Sequence, residues 1–156
     1  METGHPNRQK EKVDRSESSA ILRGLEARQA LWDLACRYAM ALDDWDEGAL
    51  GEMFAANAEF EGVTGRRAIG RAGVVEYLMD HPADYQERVH NPTSQILSQL
   101  LDGRAEGVVN SFAGHTRESG SGDLLALRYE DVYVNEHGQW RFARRRIHTV
   151  RRLLGP

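Results

Sequence analysis

The order of helix-like and strand-like segments predicts an α+β fold of cone shape, in which a curved, mainly antiparallel but mixed sheet wraps around helices and encloses a pocket. Three observations carry this expectation. Helical apolar patterns fill the first half of the chain. Four strand-like runs with glycine-containing connectors fill the second half, which makes a meander with helices packed on one face. The length of 156 residues suits one domain with a real core.

Residues 1–18 are rich in Lys, Arg, Glu, Asn and Ser without a hydrophobic period, and are expected to form a disordered tail outside the domain of residues 19–156. Leu31, Leu34, Ala35, Tyr38 and Leu42 then recur at steps of three and four, the buried stripe of a first helix ending near Asp43. Asp46 is placed to cap a second helix, with Leu50, Met53 and Phe54 as its inner face and an end near Asn57. A first strand is expected over Ala58 to Val63, followed by a turn at Thr64 and Gly65. Val74, Val75 and Leu78 mark the core face of a third helix, and Pro82 is its expected stop signal.

The remaining runs, Glu87 to Leu101, Arg104 to Arg117, Leu124 to Asn135 and Gln139 to Val150, read as strands. Asp102-Gly103, Glu118 to Asp123 and His137-Gly138 join them, because glycine tolerates the positive φ that tight hairpins need.

Bulk properties narrow the function classes. A net charge of −4 lacks the field that nonspecific nucleic-acid binding uses, and no apolar run is long enough to span a membrane, so neither partner is expected. The arginines of the C-terminal strand, from Arg141 to Arg152, read as partners for the chain's carboxylates. A single cysteine, Cys36, excludes an intramolecular disulfide framework, and the polar N-terminus lacks a secretory apolar segment; a cytoplasmic location is expected. Motifs of zinc proteolysis, P-loop nucleotide binding and α/β-hydrolase chemistry are missing, and no metal or cofactor is implied.

Tyr38, Asp43 and His90 form a candidate acid-base set. A phenol can donate to a substrate oxygen, a carboxylate can orient or accept a proton, and imidazole titrates nearest neutrality. Tyr38 and Asp43 lie about 140° apart on an ideal helix, so they share a pocket only where the chain turns inward at the helix end. The same residues are also compatible with a core tyrosine, a turn aspartate and a strand histidine.

The segments RYAMALD, DEGALGEMFAANAEF, RRAIGRAGVVEYL, VHNPTSQIL and GQWRFARRR, spread over about residues 20 to 150, resemble the SnoaL-like and scytalone-dehydratase-like proteins of the nuclear-transport-factor-2-like superfamily. That resemblance implies a small-molecule pocket in which Tyr38, Asp43 and His90 take the catalytic positions, Asp44 being the second of its pair and so not the matching one. It adds His115 as a second histidine and an arginine from the last strand, Arg145 or Arg146, while Asn91 beside His90 is a candidate substrate contact. Strict alternation puts Trp140, Phe142, Arg144 and Arg146 on one face and Arg141, Ala143, Arg145 and Ile147 on the other; which face is inner stays open.

The implied function is a cofactor-independent lyase of the dehydratase type, acting on a hydrophobic oxygenated molecule such as a polyketide, steroid-like or aromatic intermediate. The same pocket would serve an isomerase or a cyclase. A reading from another class is a non-catalytic ligand-binding or scaffold subunit resembling the small subunit of aromatic-ring dioxygenases. Relatives of this kind imply a homo-oligomer, a trimer or dimer.

Overall fold

The computed structural model describes residues 6–80 and 85–154, with side chains from residue 15 onward. Among the described residues three helices, α1 (Pro6–Asp43), α2 (Glu47–Met53) and α3 (Arg71–Met79), accompany six strands: β1 (Phe54–Glu61), β2 (Arg67–Ile69), β3 (Tyr85–Leu101), β4 (Arg104–Arg117), β5 (Gly122–Glu136) and β6 (Gln139–Leu154). They form one curved, unclosed sheet in the order β2-β1-β6-β5-β4-β3, antiparallel except where β1 runs parallel to β6. The α+β cone expected from the sequence is the observed architecture.

The apolar stripe of α1 is the sheet's main cover. Leu31, Leu34, Ala35, Tyr38 and Leu42 are all buried, as the three-and-four spacing requires. The helix begins earlier than the stripe does. It reaches back to Pro6, so residues 6–18, expected as a disordered tail, continue α1, and residues 1–5 lie outside the described residues. Proline at a helix start forfeits no hydrogen bond, and this segment is rich in good helix formers. Its described side chains, from Arg15 to Ala20, are exposed.

Asp46 caps α2 by accepting from the Ala49 N–H at 2.8 Å, as its position predicts. That helix stops at Met53, and Phe54 already belongs to β1, earlier than the expected end near Asn57. Phe54 is fully buried either way, so helical spacing alone could not separate the last turn from the first strand residues. Val74, Val75 and Leu78 form the buried face of α3; Pro82 lies outside the described residues, and the helix ends at Met79.

The short strand β2 has no counterpart among the expected elements. It pairs with β1 through three residues, Arg67 to Ile69, too few to show a period-two pattern. The connectors behave as expected: Gly103, His137 and Gly138 take positive φ, which closes the β3-β4 and β5-β6 hairpins.

Between Phe142 and Arg144 the register of β6 against β5 slips by one residue, because Tyr133 faces Phe142 while Val132 faces Arg144. Ala143 is thus the extra residue of a β-bulge. Upstream of it Phe142 points inward; downstream Arg145 does, and both are completely buried.

Candidate functional site

Asp43 is the last residue of α1. The chain then turns sharply at Trp45, whose φ of 57° is left-handed and rare for a bulky residue. At this helix end Asp43 meets β3. One carboxylate oxygen, Oδ2, accepts the backbone N–H of His90 at 3.0 Å, and the other, Oδ1, lies 2.7 Å from Nδ1 of the same residue. An ionised carboxylate only accepts, so Nδ1 carries the proton in the neutral ring and Nε2 is left as the basic nitrogen. The His90 side chain is only 11% exposed.

His90 opens into a cavity of about 320 Å³ between α1, α3 and the inner sheet face, lined also by Tyr38, Arg88, His115 and Tyr129 and by apolar side chains such as Leu42, Leu127 and Ile147. Tyr38 is buried, edge-on to Phe54, Tyr129 and Phe142, and its hydroxyl has no hydrogen-bond partner among the described residues. Burial pushes its pKa well up, with Arg145 opposing, so the phenol is a neutral donor. His115 stands edge-on to His90 with ring centroids 5.8 Å apart. Burial, and then the neighbouring His90, lower its pKa.

Arg145 sits behind Tyr38. Its guanidinium carbon is 4.2 Å from the Tyr38 ring centre, 4.5 Å from that of Tyr129 and 4.0 Å from that of Phe142. Asp131 holds it in a bidentate pair, with Nε to Oδ1 at 2.8 Å and Nη2 to Oδ2 at 2.7 Å. Burial opposes the charge, but Asp131 more than offsets it and keeps Arg145 cationic. Tyr133 donates to the same carboxylate at 2.7 Å, and Gln95 donates to the Tyr133 hydroxyl at 3.2 Å. This buried chain supports the floor of the cavity.

The structure brings Tyr38, Asp43, His90 and His115 together and sets Arg145 directly behind them. It separates Asn91 and Arg146. Asn91 alternates with His90 and is exposed on the outer face of β3. Arg146 lies toward Glu61, with Nε 3.4 Å from its carboxylate. Strict alternation also fails to group Phe142 with Arg145, because it takes no account of the bulge at Ala143.

Arg88 escaped the sequence reading although parity on β3 places it on the face of His90, two residues earlier in the chain. Its Nε donates to the Leu42 carbonyl and Nη1 to the Leu78 carbonyl, so it caps the ends of α1 and α3 together. Its guanidinium also stacks on Trp45, 3.2 Å from the ring centre. Asp131, Tyr129 and Trp45 likewise had no local motif to announce them. Among the described residues no cluster of three or more His, Cys, Asp or Glu side chains is arranged to hold a metal, and no helix is long and apolar enough to cross a membrane.

No curated protein matches this sequence. Among solved structures the fold is similar to a hexachlorocyclohexane dehydrochlorinase (LinA) of type 2, at 22% identity and a TM-score of 0.77, covering 86% of this chain and 94% of that one. It is similar to a protein assigned as a scytalone dehydratase from Novosphingobium aromaticivorans, at 21% identity and a TM-score of 0.76, covering 83% and 87%. It is also similar to one assigned as an aromatic ring hydroxylase from Novosphingobium aromaticivorans, at 21% identity and a TM-score of 0.74, covering 81% and 91%. The SnoaL-like domain profile matches residues 23–146, a span that contains Tyr38, Asp43, His90, His115 and Arg145, and the chain therefore belongs to the SnoaL-like domain family.

Proposed function

We propose that the protein is a cofactor-independent lyase of the dehydratase type for a hydrophobic oxygenated small molecule. The observation that carries this reading is the contact of Asp43 with His90 at 2.7 Å beside a largely apolar cavity. His90 Nε2 removes a proton from the carbon next to a substrate carbonyl, and Asp43 stabilises the imidazolium that forms. Tyr38 donates to the carbonyl oxygen as it gains charge. The imidazolium then returns its proton to the departing β-hydroxyl, so one water leaves and one carbon–carbon double bond remains. Isomerisation or cyclisation would use the same proton transfers and differ only in where the proton returns.

A cavity of about 320 Å³ is near the lower end of small-molecule sites, roughly 300 to 1,000 Å³, and suits a compact one- or two-ring intermediate. The similarity to structures named for a dehydrochlorinase and a scytalone dehydratase agrees with an elimination. Incubation with a panel of β-hydroxy carbonyl compounds, followed by mass spectrometry for loss of water, tests it. Retention of every panel member unchanged, with the folded protein verified, rejects the reading.

The homo-oligomer, a trimer or dimer, belongs to the same proposal. Val89, Ile96 and Phe112 are 57%, 70% and 42% exposed on the outer sheet face, an apolar surface that association would cover. Light scattering at micromolar concentration should give a mass above 17.6 kDa.

A further inference from the structure

Arg88 stands at the boundary of two spaces, the inner cavity of about 320 Å³ and an outer vestibule of about 820 Å³, and lines both, as does His115. Three of its features are fixed by protein alone. Nε and Nη1 are occupied by the helix-end carbonyls of Leu42 and Leu78, and one face is covered by the Trp45 ring. The third nitrogen, Nη2, is buried and has no hydrogen-bond partner among the described residues. A cationic N–H withdrawn from water without an acceptor is costly, and a ligand oxygen would remove that cost.

Of the other cations nearby, Arg145 is held by the buried Asp131 through Nε and Nη2 and does not line the cavity, although its Nη1 is also buried without a partner among the described residues, and Arg117 reaches Tyr85 and Asp123. The rest of the inner cavity's described lining is the imidazoles of His90 and His115 with phenolic and apolar side chains, Asp80 being exposed at the edge, whereas the vestibule also carries the carboxylates of Asp43, Asp44, Glu87 and Asp123.

We infer that Arg88 is the specificity-determining residue of this pocket: its Nη2 binds a carboxylate on the substrate, so the ligand class is an aromatic or other apolar acid whose ring fills the cavity. This deepens the proposed lyase reading and rests on the same cavity. The planar guanidinium, held on two sides by carbonyls and on one face by an indole, is pre-organised and loses little freedom on binding an anion. Burial lowers its pKa to about 10, with Asp43 opposing, so it is still charged at neutral pH.

The test compares 2-naphthoate with neutral 2-naphthamide by isothermal titration calorimetry at pH 7, on the full chain. The wild type should bind the acid about tenfold or more tightly than the amide, the scale of one charge-assisted hydrogen bond. Arg88→Gln should abolish that preference, the acid falling to the affinity that the variant shows for the amide. Equal affinity of the wild type for the two probes, or no measurable binding of the acid, overturns the inference, and so does a preference retained by Arg88→Gln. If that variant does not fold, the wild-type comparison still decides. Neither probe carries a hydroxyl to eliminate. An acid preference beside an inert dehydration panel removes the lyase reading and leaves the carboxylate site, whereas turnover without acid preference does the reverse.

Discussion

Asp43 grips His90 at two points, the backbone N–H at 3.0 Å through Oδ2 and ring Nδ1 at 2.7 Å through Oδ1, so the end of α1 fixes both the position of β3 and the orientation of the imidazole. Asp43→Asn should lower turnover by roughly 10²-fold or more, because the amide neither fixes the tautomer nor stabilises the imidazolium. His90→Ala should abolish turnover with the fold intact. Steady-state kinetics on both variants, beside their melting temperatures, check this; undiminished turnover in His90→Ala sinks the acid-base assignment.

Tyr38 separates activity from stability. Its hydroxyl is buried without a partner among the described residues, so Tyr38→Phe removes an unsatisfied polar atom while keeping the ring among Phe54, Tyr129 and Phe142. The melting temperature should stay level or rise, and turnover should fall by about 1–3 kcal/mol of transition-state stabilisation. A clear loss of stability would mean that the hydroxyl is bonded in solution.

Asp131 and Arg145 are both without exposed side-chain surface, and the pair is expected to be costly to break and cheap to replace. Asp131→Leu alone should destabilise by about 3–5 kcal/mol, since it strands a buried guanidinium. Adding Arg145→Met should recover most of that loss, as measured in a chemical-denaturation double-mutant cycle.

His115 should titrate below the ordinary histidine value of about 6.5, first because it is buried and next because His90 is close. The unfolded chain then takes up this proton before the folded one does. Stability should therefore fall as the pH drops below about 6.5, through this residue, until the folded pKa is reached. In an NMR titration His90→Gln should move the His115 midpoint upward without restoring it fully, because burial remains.

Gly62 lines the cavity where Tyr77 passes over it. A Cβ built there would lie 1.9 Å from the Tyr77 hydroxyl and 2.7 Å from Cζ. Tyr77 also packs on Phe60, with centroids 5.0 Å apart, so it cannot withdraw freely. Gly62→Ala should cost about 1–3 kcal/mol in thermal or denaturant unfolding; an unchanged stability would show that this corner yields.

Much of the architecture was legible because it depends on local rules. The stripe Leu31, Leu34, Tyr38, Leu42, the Asp46 cap and the Asp102-Gly103 and His137-Gly138 connectors each state their conformation in a few neighbouring residues. Strand β2 did not, since three residues make no pattern, and neither did the onset of α1, where charge-rich sequence suits a solvated helix as well as a tail. In the candidate site the meeting of Asp43 with His90 followed from family resemblance, because a contact across 47 positions leaves no periodic trace. Arg88 was within reach of strand parity, whereas the pairing of Asp131 with Arg145 depends on β5 and β6 aligning across a slipped register.

The slip at Ala143 makes β6 a phase-shifted strand: inward positions before it and after it belong to different parities. Which arginine is interior is therefore encoded by a spacing and not by residue type, since Arg144, Arg145 and Arg146 are chemically the same. Deleting Ala143 would remove the extra residue and leave Arg145 inside, now two places after Phe142 by plain alternation. Ironing out the bulge at constant length would instead turn Arg144 and Arg146 inward and Arg145 outward, with no codon for arginine changed. A descendant of this chain could thus relocate its buried positive charge through backbone register alone, a route of divergence that comparing substitutions column by column would miss.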